Sequence, residues 1–163
     1  HKTLENFRVP AKLVGKDTNF GPVPKRLTPI FRDQDELAAS GDLGFELKDA
    51  LSNSLFLIVV CSPASANSKW ANEEIRLFKA AHGSGRVLAL IVDGIPNAVP
   101  EKRYLECFAP ALKVEVNKDG SLTDIPSEPI AADLRKGNDT KRLVILRLVG
   151  GLTGLRLDDL VQR

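Results

Sequence analysis

Trp70 and Glu74 stand four residues apart in a segment, 68–81, whose apolar residues recur at helical spacing. Residues at i and i+4 share one helix face. An aromatic plate beside a carboxylate, facing a crevice, suits a flat, partly cationic or sugar-bearing ligand. On an ideal wheel Glu74 falls within about 20° of the middle of the apolar face formed by Trp70, Ala71, Ile75, Leu77, Phe78 and Ala81. Asn72, Glu73, Arg76 and Lys79 cover the other face. A carboxylate on an inward face costs free energy unless it is paired, or unless it lines a cavity and does chemistry. Two readings stay open on the residues alone. In one, Glu74 is structural: favoured near a helix N-terminus or paired with an arginine such as Arg32, with Trp70 in the core. In the other, both line a binding site.

Rival chemistries find little support. The chain has two histidines, His1 and His82, and two cysteines, Cys61 and Cys107, with no paired metal-ligand spacing. No metal site is expected. A Ser-His-Asp triad is unlikely with one histidine at a chain end and the other beside Gly83. Ser62-Pro63 follows an apolar run but lacks the G-x-S-x-G of a nucleophile elbow. No phosphate-cradling glycine motif occurs. Lys141, Arg142 and Arg147 read as the polar side of a late helix. A net charge of +2 gives no electrostatic footprint of a dedicated nucleic-acid binder. No run approaches the ~18 apolar residues of a membrane span. The cysteine usage suggests a reducing compartment, hence the cytoplasm, and the 163 residues suffice for one domain with a proper core.

Several elements must position Trp70 and Glu74. Leu4 and Phe7 suggest the tail of a helix ending before Pro10. A Gly/Pro-bearing connection runs to Arg26, and 27–31 reads as a short edge strand because of Pro29. A charged loop, 32–41, precedes a helix over 42–52. The continuous apolar run 55–61 (LFLIVVC) predicts a strand buried on both faces. A loop, 62–67, leads into the Trp70–Glu74 helix, which Ser68 can cap and Gly83 and Gly85 end. A second buried strand follows at 87–92. The segment 93–106 reads as loop with a short helix, 112–116 as a final weaker strand, and 140–149 and 155–161 as helices. Strands alternating with helices predict a parallel sheet with helices on both faces. The first strand of such a sheet is expected to precede His1. Ligands bind outside the carboxyl ends of such strands, which points to loops 32–41 and 62–67.

Three segments together resemble a bacterial Toll/interleukin-receptor (TIR) domain: Pro29-Ile-Phe-Arg-Asp-Gln-Asp-Glu-Leu37, Leu57-Ile-Val-Val-Cys-Ser-Pro63 and Ser68-Lys-Trp-Ala-Asn-Glu-Glu-Ile75. Ile91-Val-Asp-Gly94, Glu128-Pro-Ile-Ala-Ala-Asp-Leu134 and Leu157-Asp-Asp-Leu160 fit the same family. The resemblance implies a flavodoxin-like fold with about five parallel strands. It implies one domain over 1–163, N-terminally incomplete, with 152–163 as the start of a linker to another domain. Members are either scaffolds that assemble through TIR–TIR contacts or enzymes that cleave NAD⁺ between nicotinamide and ribose. The enzymes carry a glutamate four residues after a tryptophan, a pattern that falls on Trp70 and Glu74. The resemblance thus implies Glu74 as the catalytic carboxylate, with Trp70, Phe31, Arg32, Asp33 and Ser62 as substrate contacts. Asp33 matches an acidic residue opening the family's mobile loop, while Ala38 and Ala39 stand where some members carry a further acid. NAD⁺ is implied as substrate rather than cofactor, and other TIR domains as partners, in bacterial immune or stress signalling. The product is ADP-ribose if water attacks and a cyclic isomer if the adenine end does. The alternative is a non-catalytic adaptor.

Overall fold

A computed structural model describes residues 1–31 and 44–161. Its centre is a parallel sheet of β3 (Leu57–Cys61), β4 (Val87–Ile91) and β7 (Ile130–Asp133), in the order β3-β4-β7. Leu57 pairs with Val87 and Cys61 with Ile91, while Leu88 pairs with Ile130 and Ile91 with Asp133. The registers carry all three carboxyl ends to the same side.

Strand alternation assigns each residue to one of two cores. Val87, Ala89, Ile91 and Cys61 face a cluster with Leu47 and Leu51 of α2 (Phe45–Asn53) and Ile75 and Phe78 of α4 (Lys69–His82). Leu88 and Ala132 face the opposite cluster. It contains Leu4 of α1 (Lys2–Asn6), Val144, Leu148 and Val149 of α5 (Lys141–Thr153), and Leu160 of α6 (Leu157–Val161). Helices therefore cover both faces, the layering that continuous apolar strands demand. The architecture is α/β and flavodoxin-like. No helix among the described residues is long and apolar enough to cross a membrane.

Three expectations are corrected. The stretch 27–31 belongs to no sheet among the described residues. Pro29 cannot donate, and neighbouring side chains take the backbone groups of Ile30: Glu5 Oε1 accepts from its N–H at 3.2 Å and His1 Nε2 lies 3.1 Å from its carbonyl. The segment 112–116 is not the last strand of the parallel sheet. Its strand, β5 (Val114–Val116), instead forms an antiparallel hairpin with β6 (Leu122–Pro126). The sheet is completed by β7, whose short, alanine-rich sequence carries little strand propensity. The run 55–61 is not buried on both faces: its strand, β3, ends the described sheet, and Leu55 is 68% and Val60 53% exposed. The Gly/Pro connection also holds a miniature hairpin of β1 (Asp17–Thr18) and β2 (Gly21–Pro22). Thr18 Oγ1 donates to the Thr153 carbonyl at 2.6 Å, tying it to the end of α5.

Candidate active site

The polypeptide leaving β3 turns at once into α3 (Pro63–Ala66), a single helical turn. Ser62 and Ser65 cap it reciprocally: Ser62 Oγ accepts from the Ser65 N–H at 3.2 Å and Ser65 Oγ from the Ser62 N–H at 2.9 Å. Pro63 occupies the first helical position, where a missing N–H costs nothing. After Asn67 the chain re-enters helix, with Ser68 Oγ accepting from the Ala71 N–H at 3.2 Å. Two successive caps thus start α4 next to the carboxyl end of β3 and place Trp70 in its first turn and Glu74 in its second.

Trp70 and Glu74 are both half-buried and line one cleft. Among the described residues this cleft encloses about 1610 Å³ and follows the outer edge of β3. Leu47 and Leu51 of α2 wall one side, Ser65 and Ser68 border the start of α4, and Phe31 stands at the rim, 57% exposed. Phe31, Trp70 and Glu74 all line this cleft. Ser62 does not line the cleft, and its hydroxyl is engaged in the cap. Arg32, Asp33, Ala38 and Ala39 lie outside the described residues. Ser68 is expected from the sequence only as a cap and Ser65 not at all, although the serine spacing of three at 62 and 65 is a helix-start signal.

The helical wheel needs a correction that sharpens the site. Glu74 is not at the middle of the buried face. The fully buried residues of α4 are Ile75, Phe78 and Lys79. At about 100° per residue their mean direction lies roughly 90° from Glu74. Apolarity alone misplaced the stripe because polar residues share the inward face. Asn72 Oδ1 accepts from the Ala111 N–H at 2.8 Å, and His82 Nε2 lies 3.1 Å from the Leu51 carbonyl. Lys79, expected on the polar face, is 3% exposed, and its Nζ donates to the carbonyls of Leu112 at 3.2 Å and Val114 at 2.9 Å. Burial pushes the Lys79 ammonium down to about 8, against the opposing attraction of Glu115. Asn72 and Lys79 thereby anchor α4 to the segment 111–114, and His82 anchors it to α2. Trp70 and Glu74 lie on the flank that borders the cleft, with Trp70 also packed against the core.

Two carboxylates near the sheet's carboxyl edge, Asp133 and Glu106, are held by cations. Arg135 grips Asp133, with Nη2 2.6 Å from Oδ2, and its Nη1 donates to the Gly94 carbonyl at 2.9 Å. That guanidinium holds the Asp133 carboxyl below its usual range. Glu106 accepts from the amides of Asn97, Cys107 and Phe108 and from Lys113 Nζ. Cys61 and Cys107 are buried, and burial pushes the Cys61 thiol up to about 12, so it is no nucleophile near neutral pH.

One curated relative is named NAD(+) hydrolase ApTIR, from an Actinoplanes species, and is 29% identical over 140 residues. The match covers 83% of this chain and 19% of that protein, so the chain spans about a fifth of its relative's length. No solved structure matches. Residues 25–120 match the family described as TIR domain, a span that holds the cleft wall, α3, Trp70 and Glu74, and the chain belongs to the TIR domain family.

Proposed function

We propose that this domain cleaves NAD⁺ at the nicotinamide–ribose bond, with Glu74 as the catalytic carboxylate. The observation that carries the reading is that Trp70 and Glu74 share one flank of α4 and line the cleft that follows the outer edge of β3. The relative named as an NAD(+) hydrolase supports the same substrate.

One carboxylate suffices for this bond. The nicotinamide of NAD⁺ is a pyridinium and departs neutral, so the leaving group needs no proton. O-glycoside hydrolysis differs, because there a second carboxyl must protonate the leaving oxygen. The step that needs help is formation of an oxocarbenium-like ribose. Ionised Glu74 accepts hydrogen bonds from the ribose hydroxyls and stabilises the positive charge that develops as the C–N bond breaks. Trp70 walls the nicotinamide side, and Phe31 supplies an apolar surface at the rim. Ser62 acts through the cap that aims α4, as a positioning residue. Arg32 and Asp33 are assigned on the resemblance alone, to the diphosphate and to the loop. The chemistry calls for no added cofactor. Attack by water at the ribose C1′ gives ADP-ribose, and attack by the adenine gives a cyclic isomer. In a cell such turnover would serve immune or stress signalling, switched by association with other TIR domains in the cytoplasm.

The test is incubation of concentrated protein with NAD⁺ and chromatographic resolution of the products. The expected result is nicotinamide in equal amount with ADP-ribose or its cyclic isomer. Trp70→Ala should raise KM more than it lowers kcat. A folded, assembled sample that releases no nicotinamide would favour an adaptor, with Glu74 in a structural role.

A further inference from the structure

On the sheet face that α5 covers, α1, the segment after it, α5 and α6 border a second concavity of about 710 Å³. Its floor is apolar, formed by Phe7, Pro10, Ile145, Leu146 and Leu160. Leu146 and Leu160 are themselves buried members of the core beneath, so the floor is held rigidly. Arg8, Lys12 and Arg142 also line it, all exposed, and no carboxylate lines it among the described residues. Three positive charges thus surround one small hollow in a chain whose whole net charge is +2.

From this charge pattern we propose that the hollow is a docking site for an acidic amphipathic peptide segment. A bulky apolar side chain of the partner fills the floor, and its flanking Asp or Glu residues meet Arg8 and Arg142. The guanidinium fork matches a carboxylate bidentately, which an ammonium does not. A preformed apolar pocket ringed by cations is the surface that an anchor residue with acidic neighbours requires. The pattern does not suit nucleic acid. Backbone recognition needs extended rows of cations, and single-strand binding adds several stacking aromatics, whereas Phe7 is the one aromatic in the lining. A membrane surface would also be met by a convex face, not by a hollow.

The experiment is a titration of the intact chain, followed by amide NMR shifts and fluorescence anisotropy. The probe is a labelled twelve-residue helical peptide with Leu or Phe at positions i, i+3, i+4 and i+7 and Glu elsewhere. The expected result is saturable binding, with shifts centred on Arg8, Ile145 and Leu160 and weakened by added salt. Replacing the peptide's Glu by Gln should weaken it at least tenfold, as should the double variant Arg8→Glu/Arg142→Glu. Ile145→Ala keeps the charge and should weaken binding severalfold. Equal affinity for the Gln peptide, or shifts centred elsewhere, would overturn the proposal. So would binding to phosphatidylglycerol vesicles in preference to the peptide, or self-association that the double variant abolishes.

Discussion

Replacing Lys79 by methionine should change how stability depends on pH more than stability at neutral pH. Lys79 is 3% exposed, with its ammonium held by two main-chain carbonyls. Its pKa falls from 10.5 to about 8 in the folded protein. Below pH 8 both folded and unfolded chains carry the charge, and the folded state bears its full desolvation cost. Between about 8 and 10.5 the unfolded chain binds more protons, so unfolding free energy rises with pH. Above 10.5 both are neutral and the gain is complete. At about 1.36 kcal/mol per pH unit the gain is on the order of 3 kcal/mol. Methionine keeps the unbranched stem and removes the charge. It also leaves the Leu112 and Val114 carbonyls without this donor, a cost of about 1–3 kcal/mol that does not vary with pH. Near pH 7 these effects offset, and the two proteins should differ by less than about 2 kcal/mol. By pH 10.5 the wild type should have gained on the variant by most of the 3 kcal/mol. Urea titrations of both proteins from pH 7 to 10.5 measure the difference, in which the other titrating groups cancel. A flat difference across that window would refute the burial of Lys79 as a cation.

Other outcomes follow from the geometry near the sheet's carboxyl edge. Gly94 has φ +88°, and a Cβ there would lie 2.5 Å from the Leu105 carbonyl oxygen. Gly94→Ala should lower unfolding free energy by about 2–4 kcal/mol, read as a drop in Tm, because neither the backbone conformation nor the facing carbonyl can give way. Asp133, held below its ordinary range by Arg135, contributes stability that is present above the unfolded carboxyl pKa and lost as pH falls through the folded one. Asp133→Asn should therefore be less stable than wild type at pH 7 and nearly equal to it in strong acid, by urea titration at both pH values. Thr18→Val, which removes the bond to the Thr153 carbonyl, should cost about 1 kcal/mol.

The layered core was legible because its strands are unusually simple. The runs around Leu57–Cys61 and Val87–Ile91 are continuous and apolar; β4 is covered on both faces, whereas β3, at the end of the described sheet, leaves Val60 53% exposed. The cap at Ser68 and the stop at Gly83 also bound α4 as the sequence implies. Where reading failed, the cause was pairing that sequence does not encode locally. The backbone of Ile30 is satisfied by Glu5 and His1, some 25 residues away, so an extended segment forms no ladder. Ile130–Asp133 becomes a strand through its register with β4, not through its own propensity. The site followed the same rule. Trp70 and Glu74 share a face by spacing alone, but which flank that face occupies depended on Asn72, Lys79 and His82 finding backbone partners on other elements. A buried lysine anchored by carbonyls is invisible to a wheel that counts it as polar.

The central claim, that Glu74 acts on the ribose of NAD⁺, is tested most directly by Glu74→Gln. The substitution keeps shape and removes only the charge. Nicotinamide release should be measured on wild type and variant at equal, high concentration, with matched circular dichroism and melting curves. The account predicts a loss of at least about 10²-fold in kcat, the usual consequence of removing one electrostatic group at a reacting centre, with folding unchanged. Release at the wild-type rate from the variant would contradict it.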